Sequence, residues 1–195
     1  MAFDPGRDSC LTLFGGVYAT GAIGFPVGAH VLEIGCAEAD WMTPMLAERP
    51  DLTITGIDWR PGTRPGTVIR GDVLTHEFPD ASFDAMVGVS SIEHIGLGHY
   101  DHDPDDPDGD AHCMARVKRW LKPGGLVYLD VPYGPAYRRH GTEYRVYDDA
   151  ALQQRLLTGF TEQRRWYARH DDIHTIHPTC PTGDGMIYVA LVATA

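Results

Sequence analysis

The sequence predicts an α/β protein with one doubly wound, mostly parallel sheet of seven strands, an antiparallel last strand and helices on both faces. Three observations carry this prediction. Short apolar runs alternate with helix-like segments along the chain. One run, residues 31–34, ends at Gly35 before a helix-like segment, which is how a nucleotide-binding βαβ unit begins. Another run, 85–89, is continuously apolar, as is typical of a strand in the middle of a parallel sheet.

Length and composition fit one enzyme-sized domain over residues 1–195. The chain is 43% hydrophobic, enough for a sizeable core, and its net charge of −11 argues against broad contact with nucleic acid. The four cysteines have no paired spacing, which favours thiols in a reducing compartment. Without a signal pattern or an apolar run of membrane-spanning length, we expect a cytoplasmic protein.

The predicted elements follow an N-terminal cap segment, residues 1–29, whose glycines interrupt a short apolar helix. The predicted strands cover residues 30–35, 52–57, 67–70, 85–89, 126–131, 161–168 and 186–192. The predicted helices cover residues 39–49, 110–121 and 149–158. Three segments rich in polar residues, 95–110, 133–147 and 169–185, are expected to be loops that hold a substrate.

The turn at Gly35 is the first candidate binding site. Glycine carries no Cβ, so the backbone can approach a ligand, and the start of the next helix offers N–H donors. Dinucleotide sites usually need three glycines, so that a pyrophosphate fits at the helix end. Here Ala37 and Ala39 stand at the later positions, which makes a nicotinamide-dependent oxidoreductase the weakest alternative. Glu33, at the strand end, can attract an amino group.

Asp58 ends the second predicted strand, about 20 residues after Gly35, where nucleotide-binding folds place the acidic residue that accepts from ribose hydroxyls. Trp59 could lie against an adenine ring as a flat apolar wall. The alternative is that Asp58 is a turn residue and Trp59 a core aromatic. The glycine turn upstream favours ligand binding.

These residues resemble the class I S-adenosylmethionine-dependent methyltransferases. The motif Glu/Asp-x-Gly-x-Gly-x-Gly of that family is matched at Glu33 and Gly35, and alanines replace its two later glycines. Two further runs resemble family signatures: Pro-Asp-Ala-Ser-Phe-Asp at 79–84, before the fourth strand, and Leu-Lys-Pro-Gly-Gly at 121–125, before the fifth. The resemblance extends over residues 30–193, nearly the whole chain.

The resemblance implies S-adenosylmethionine as cofactor and S-adenosylhomocysteine as its product. In the family, an acidic residue at the position of Asp72 reaches the adenine amine, and the next backbone N–H, here that of Val73, reaches a ring nitrogen. The cofactor residues predicted in this way are Glu33, Gly35, Cys36, Ala37, Asp58, Trp59, Asp72, Val73 and Ser90. Residues 91–98 with 107–110 are similar to a small, poorly characterised bacterial group of methyltransferase-like proteins, which supplies no substrate.

Glu93 and His94 follow the fourth predicted strand at its carboxyl end, where open α/β sheets bind ligands. Methyl transfer from a sulfonium is an in-line displacement, and a hydroxyl acceptor must also lose a proton. His94 is the candidate base because an imidazole titrates near neutral pH, and Glu93 either orients it or takes the proton itself. The alternative is that Glu93 caps a helix and His94 packs on the cofactor.

The acidic loop, with six aspartates between positions 101 and 110, has two interpretations. It could hold a divalent cation, or it is a solvated lid, and its spacing matches no EF-hand, so no metal ligand is assigned. A second His/Asp cluster at 170–177 is expected to form a polar rim for the acceptor. Tyr144, Arg145 and Tyr147 either contact the acceptor or bridge the loop to the sheet.

The sequence therefore predicts an S-adenosylmethionine-dependent methyltransferase that acts on a hydroxyl of a small polar acceptor, such as a sugar or natural product. The alternative is a noncatalytic S-adenosylmethionine-binding or assembly partner on the same fold, because motif glycines and a substrate cap are missing. The expected partner is a small molecule rather than nucleic acid or a membrane, and a homodimer stays open.

Overall fold

The computed structural model describes residues 24–37, 46–47, 49–60, 67–99, 105–169, 172–177, 179–180 and 183–194. Several predicted features lie outside these residues: most of the N-terminal cap segment, most of the helix predicted at 39–49, and the first half of the acidic loop's aspartate run. Among the residues that are described, no helix is both long enough and apolar enough to span a membrane.

Ten strands are described, and eight of them form one sheet. In chain order they are β1 (His30–Ile34), β2 (Thr53–Asp58), β3 (Thr67–Arg70), β4 (Phe83–Val89), β5 (Leu121–Tyr133), β6 (Arg138–His140), β7 (Tyr144–Val146), β8 (Phe160–Arg169), β9 (Asp172–His177) and β10 (Gly185–Ala193). The sheet order is β3-β2-β1-β4-β5-β10-β8-β9, and β6 pairs with β7 as a separate hairpin.

Strand direction confirms the predicted fold class. Strands β1 to β5 pair in parallel, and β10 runs antiparallel to both β5 and β8. The sheet is therefore mostly parallel with an antiparallel last strand, as predicted. Parallel pairing brings the carboxyl ends of β1, β2, β3 and β4 to one edge, and this edge is where a doubly wound sheet binds ligands.

Two of the predicted loops contain strands. The segment predicted as the loop 169–185 contains β9, which pairs antiparallel with β8 and adds an eighth strand at the sheet edge. The segment predicted as the loop 133–147 contains the β6–β7 hairpin, whose turn is closed by a hydrogen bond from Glu143 N–H to the His140 carbonyl. The strands β6, β7 and β9 are short and mostly polar, so the sequence pattern does not predict them.

Helix α1 (Gly109–Trp120) follows Asp108 and ends at Leu121, close to its predicted bounds. Its buried apolar residues Cys113, Met114, Val117 and Trp120 stand at i, i+1, i+4 and i+7 and so lie on one face. Helix α2 (Asp149–Ala151) is capped by Asp148, whose carboxylate accepts from Ala151 N–H at 2.8 Å. A single π-helical turn, Leu152–Leu156, continues it, so the helix predicted at 149–158 is irregular and shorter.

Apolar clusters cover both faces of the sheet. Alternation along β5 places Val127 and Leu129 in the cluster under α1 and Tyr128 in the cluster on the opposite face. Leu46, in the short helical piece that is described from the first predicted helix, packs against that opposite cluster. Helical residues therefore lie on both faces, as the prediction requires.

The two signature runs meet at the amino-terminal end of β4. Ser82 N–H donates to the Trp120 carbonyl at 2.8 Å, and Lys122 Nζ lies 2.7 Å from a carboxylate oxygen of Asp84. Phe78 packs edge-on against both Phe83 and Trp120, with ring centroids 5.1 and 5.0 Å apart. These runs hold α1 and β5 against β4 and lie at the opposite end of β4 from the candidate site.

Candidate functional site

A pocket opens at the carboxyl ends of β1 to β4, and we call it the strand-end pocket. Its lining residues are Ile34, Gly35, Ile57, Asp58, Trp59, Arg60, Gly71, Asp72, Val73, Ser90, Ser91, His94 and Ile95. The predicted site residues among them are Gly35, Asp58, Trp59, Asp72, Val73, Ser90 and His94. Segments far apart in sequence meet here because parallel strands deliver their carboxyl ends to one edge.

Gly35 occupies a position that only glycine fits. Its φ is +79°, and a Cβ built on it would lie 2.0 Å from Ser91 Oγ. Ser91 cannot easily yield, because it is buried and its hydroxyl donates to the Val89 carbonyl at 2.7 Å. The backbone of the first turn therefore passes directly against the turn after β4. Ser91 was not predicted, since its role depends on this approach across the sheet.

Three predicted cofactor residues do not line the strand-end pocket. Glu33 is only 2% exposed within β1, and the Cys36 side chain is buried in the apolar cluster opposite α1. Ala37 contributes through its backbone, because its N–H donates to Asp58 Oδ2 at 2.9 Å. Ala37 therefore helps to position the Asp58 carboxylate at the pocket.

Asp58 lies at the pocket with both carboxylate oxygens already engaged. Oδ1 accepts from the Arg60 backbone N–H at 2.9 Å and from Arg60 Nε at 3.1 Å. Oδ2 accepts from Ala37 N–H and from Arg60 Nη2, the latter at 3.2 Å. A carboxylate offers about four acceptor sites, so a ligand hydroxyl can bind here once the Arg60 side chain moves away. Arg60 was missed because it follows the expected acidic position without belonging to any motif.

Asp72 and Val73 begin a tight turn after β3. The Asp72 carboxylate accepts from Leu74 N–H at 2.7 Å, and its carbonyl accepts from His76 N–H at 2.8 Å. Asp72 and Val73 are both largely buried yet line the pocket, and half-buried Trp59 lies along the same wall. The arrangement offers one carboxylate and two apolar surfaces to a flat ring.

Ser90 adopts a backbone conformation that is rare for residues other than glycine, with φ of +44°. Its N–H donates to Asp130 Oδ1 at 2.9 Å, and its hydroxyl donates to Oδ2 at 3.2 Å. Asp130 is fully buried in β5, so it holds Ser90 firmly in this conformation. Strained residues often mark functional sites, because the surrounding structure must stabilise them.

His94 ends a short 3-10 turn, Ile92–His94, at the carboxyl end of β4. Its Nδ1 lies 2.5 Å from the Glu143 carbonyl oxygen, and its Nε2 lies 3.7 Å from Glu93 Oε1. The imidazole is about one third exposed, whereas the Glu93 side chain is almost completely buried. The two predicted catalytic residues are therefore adjacent, and the imidazole is the one that solvent and ligands can reach.

A second pocket, which we call the hairpin pocket, adjoins the first and shares Ser90 and His94 with it. Its other lining residues are Glu93, Pro132, Tyr133, Arg138, His140, Tyr144, Val146, Asp184, Gly185 and Met186. Arg138 pairs with Asp184 at 2.5 Å, and the His140 and Tyr144 rings are stacked with centroids 4.6 Å apart. The predicted loop residue Tyr144 thus lines a pocket beside the candidate base.

Arg145 and Tyr147 point instead into the protein. Arg145 is fully buried, and its guanidinium lies 3.6 Å from the Asp110 carboxylate. The Tyr147 hydroxyl donates to Asp110 at 2.7 Å, and burial raises the pKa of that hydroxyl well above its ordinary value. Arg155 completes the cluster with a 2.6 Å contact to Asp110, and this hydrogen bond raises the pKa of the guanidinium. Arg145 and Tyr147 therefore bridge the loop to the rest of the fold.

The described aspartates of the acidic loop pair with cationic or imidazole groups. Asp105 lies 3.8 Å from Arg139, Asp106 lies 2.7 Å from His112 Nδ1, and Asp108 pairs with Arg155 at 3.0 Å. Within the described part of the chain, no three His, Cys, Asp or Glu side chains are grouped so that they could hold a metal ion. The second His/Asp cluster falls largely outside the side chains that the structure describes.

Comparison with protein families gives one match. The model of the family described as "Caenorhabditis protein of unknown function, DUF268" matches residues 73–177, which include the turn after β3, β4, the catalytic candidates and the hairpin. Comparison with curated proteins gives no match. The matched segment therefore contains the part of the candidate site that begins at Val73, and the Gly35 turn lies before it in the chain.

Solved structures share the fold over nearly the whole chain. N-methyltransferase NodS from Bradyrhizobium japonicum WM9 is 16% identical with a TM-score of 0.66, and the match covers 100% of both chains. The 1,6-didemethyltoxoflavin-N1-methyltransferase of Burkholderia thailandensis, solved with S-adenosylhomocysteine, is 15% identical with a TM-score of 0.62 over 100% of this chain and 93% of that one.

The [4+2]-cyclase SpnF is also similar, at 14% identity and a TM-score of 0.64 over 95% of this chain and 81% of that one. At such identities the likeness concerns the fold alone, which this chain shares with both methyltransferases. Because a cyclase shares it too, the chemistry has to be argued from the site.

Proposed function

This chain belongs to the DUF268 family, and we propose that it is an S-adenosylmethionine-dependent methyltransferase acting on a hydroxyl of a small polar acceptor, such as a sugar or natural product. The observation that carries this proposal is the meeting of the strand-end and hairpin pockets at Ser90 and His94. A group-transfer enzyme must hold donor and acceptor side by side with the reacting atoms in line. Two adjoining pockets with a candidate base at their junction suit that requirement.

The residues of the strand-end pocket fit S-adenosylmethionine. Gly35 lets the first turn pack against Ser91 at the pocket, since a Cβ there would collide with Ser91, and its backbone lines the pocket without a side chain. Asp58 and Asp72 offer carboxylates to hydroxyl and amine donors, and Trp59 offers an apolar wall to a flat ring. When bound, S-adenosylmethionine supplies a methyl group on a sulfonium sulfur, an electrophile that requires only correctly oriented attack.

The chain's own part is to orient the acceptor and take its proton. The hydroxyl proton of the acceptor passes to Nε2 of His94, and the Glu93 carboxylate, 3.7 Å away, stabilises the imidazolium that forms. Tyr144 offers an aromatic face to a sugar-like ring, and the Arg138–Asp184 pair offers hydrogen-bonding groups to its hydroxyls. A small polar ring is the acceptor class that these groups suit best.

The compartment and the partners of the protein belong to the same proposal. We infer that the protein works in the cytoplasm on a small molecule, without nucleic acid or membrane as partner, and a homodimer stays open. The similarity of residues 91–98 and 107–110 to a bacterial methyltransferase-like group also stays a prediction.

Isothermal titration calorimetry with S-adenosylhomocysteine tests cofactor binding directly. We expect binding by the unmodified chain and loss of binding in Gly35→Ala, because the added Cβ must displace Ser91 or the turn. Gly124→Ala is the matched control: Gly124 has a similar φ of +76°, but a Cβ there meets nothing within 4 Å. Thermal unfolding of both variants separates loss of the pocket from loss of the fold. No heat with the unmodified chain contradicts the proposal.

The second candidate function is a noncatalytic S-adenosylmethionine-binding or assembly partner. The assembly-partner form of this function is favoured by the Arg60 side chain, which occupies Asp58, the expected ribose acceptor. The two functions are distinguished by incubating the protein with labelled S-adenosylmethionine and fractions of polar small molecules and measuring whether the labelled methyl group is transferred. A methyltransferase labels an acceptor and loses this activity in His94→Ala while it retains cofactor binding. Binding without labelling of any fraction supports the noncatalytic function.

A further inference from the structure

The β6–β7 hairpin holds His94 from two directions. Its turn supplies the Glu143 carbonyl oxygen, 2.5 Å from His94 Nδ1. Two residues later, Arg145 extends its guanidinium under the backbone on both sides of His94: Nη1 donates to the carbonyls of Glu93 at 3.3 Å and Ile95 at 2.7 Å. One hairpin therefore fixes both the ring and the main chain of the candidate base.

The contact with Glu143 determines which imidazole nitrogen carries the proton. A carbonyl oxygen can only accept, so Nδ1 must be the donor. In a neutral imidazole the other nitrogen, Nε2, then has a lone pair and can accept a proton. Nε2 is also the nitrogen that faces Glu93 Oε1, at 3.7 Å. The hairpin thus favours the tautomer in which His94 can act as a base through Nε2.

Arg145 can hold this arrangement because it is anchored at its far side as well. Its Nη2 donates to the carbonyls of Asp106 at 3.4 Å and Pro107 at 3.2 Å, and its Nε lies 3.6 Å from the Asp110 carboxylate. The side chain is completely buried, so water cannot replace these contacts. A planar guanidinium with five donors matches this set of acceptors, and the ammonium of lysine does not.

We propose that Glu143, through its main-chain carbonyl, and Arg145 are positioning residues that keep His94 in the Nδ1-protonated tautomer, the form in which Nε2 carries a lone pair. The use of Nε2 as a base rests on the proposed function, whereas the tautomer does not. Neither residue belongs to a sequence motif, and the hairpin that carries them was predicted as loop.

Nuclear magnetic resonance of the full chain labelled with ¹⁵N-histidine tests the tautomer without substrate. At a pH well above the ordinary imidazole pKa, long-range ¹H–¹⁵N correlations distinguish a protonated nitrogen from one with a lone pair. The spectrum of His94→Gln assigns the His94 signals by their disappearance. We expect a protonated Nδ1 and an unprotonated Nε2. A protonated Nε2 in the unmodified chain overturns the proposal.

Variants of the hairpin test the positioning role. Glu143→Ala removes the side chain but keeps the carbonyl, so we expect the His94 tautomer to be unchanged. Arg145→Met removes all four hydrogen bonds to carbonyls, so we expect a mixture of tautomers and, once an acceptor is known, a fall of roughly tenfold in kcat with little change in KM. Arg145→Lys keeps the positive charge, and it tests the positioning role of Arg145 if Arg145→Met does not fold. An unchanged tautomer in Arg145→Met, or in Arg145→Lys if Arg145→Met does not fold, overturns the role of Arg145.

Binding of S-adenosylhomocysteine, measured on the same samples, separates the two proposals. If the unmodified chain has the expected tautomer but does not bind this ligand, the proposed function fails and the inference about the hairpin stands. If it binds the ligand but carries the proton on Nε2, the inference fails and cofactor binding stands.

Discussion

Asp58 and Asp110 each accept hydrogen bonds from arginine, but their surroundings differ. Asp110 and Arg145 are both fully buried, and Arg155 and Tyr147 occupy the remaining positions around the carboxylate. The Asp58 side chain is also largely buried, but its partner Arg60 is 30% exposed at the edge of the strand-end pocket. The same pair of functional groups thus forms a closed cluster in one place and an open one in the other.

The difference indicates what each pair can do. A buried charge that loses its partner has no water to replace it, so the Asp110 cluster acts as a fixed support under the acidic loop, the hairpin and α1. A partly exposed guanidinium can move into solvent at little cost, so the carboxylate of Asp58 can exchange its arginine for a ligand. The protein therefore combines a rigid support beneath His94 with a carboxylate, that of Asp58, that can exchange its arginine for the proposed ligand.

Asp110→Asn should produce the largest effect. It leaves the buried Arg145 and the partly exposed Arg155 beside a neutral amide, and breaking a buried ion pair in this way typically costs about 3–5 kcal/mol. Urea unfolding of the variant and of the unmodified chain measures the difference in the free energy of unfolding. Asp108→Asn is the control, because Asp108 also pairs with Arg155 but its side chain is 62% exposed. Equal effects of the two substitutions would contradict the contrast between closed and open clusters.

Strands of the parallel part of the sheet could be predicted because each contains a short apolar run that stands out from the turn residues around it. Strands β1, β2, β3 and β4 lie within a few residues of their predicted bounds. The strands β6, β7 and β9 could not be predicted in this way, because they are short and mostly polar and pair with neighbours in the sequence. Backbone pairing of this kind leaves no apolar run that a sequence pattern could show.

The residues of the candidate site fall into the same two groups, those that the sequence identifies and those that it does not. Gly35, Asp58 and Asp72 could be identified because each follows a strand at a spacing that the fold imposes. Arg60 could not, and for Arg145 the sequence left open whether it contacts the acceptor or bridges the loop to the sheet. The contacts of Arg145 are set by proximity, because the carbonyls that it binds belong to residues about 40 to 50 positions away. Sequence therefore indicates where a ligand would meet the sheet edge, and the structure adds which groups hold or occupy that edge.

Arg60→Met should have a moderate effect, in the direction opposite to most substitutions in a binding pocket. It frees two acceptor positions on Asp58 that the side chain now fills, so S-adenosylhomocysteine no longer has to displace a guanidinium. An exposed pair of this kind is worth up to about 1 kcal/mol, so we expect affinity to rise by about fivefold at most. Calorimetry measures this. The control is Arg70→Met, because Arg70 donates to the Trp59 carbonyl and not to Asp58. Weaker binding by Arg60→Met would mean that the arginine itself holds the ligand.

Lys122→Met should have the smallest effect, and it extends the comparison to a third pair. Lys122 lies 2.7 Å from Asp84, and the two side chains are 47% and 21% exposed. Partial burial tends to raise the pKa of Asp84, but the hydrogen bonds from Lys122 and from His30 N–H outweigh it, so the pKa lies below its ordinary value of 3.8. The pair therefore stabilises the fold above pH 3.8, and this contribution is lost as the pH falls through the lower folded-state pKa.

Urea unfolding at neutral pH should show a loss of less than about 1 kcal/mol in Lys122→Met, because solvent screens an exposed pair. The difference from the unmodified chain should shrink as the pH is lowered below 3.8, since protonated Asp84 no longer attracts the ammonium. Lys118→Met is the matched control: Lys118 donates to the Thr194 hydroxyl rather than to a carboxylate, so its effect should not depend on pH in this range. A difference for Lys122→Met that stays constant on acidification would show that the lysine acts through packing of its aliphatic stem. In that case the contrast between closed and open ion pairs would rest only on the pairs that Asp110 and Asp58 form with arginine.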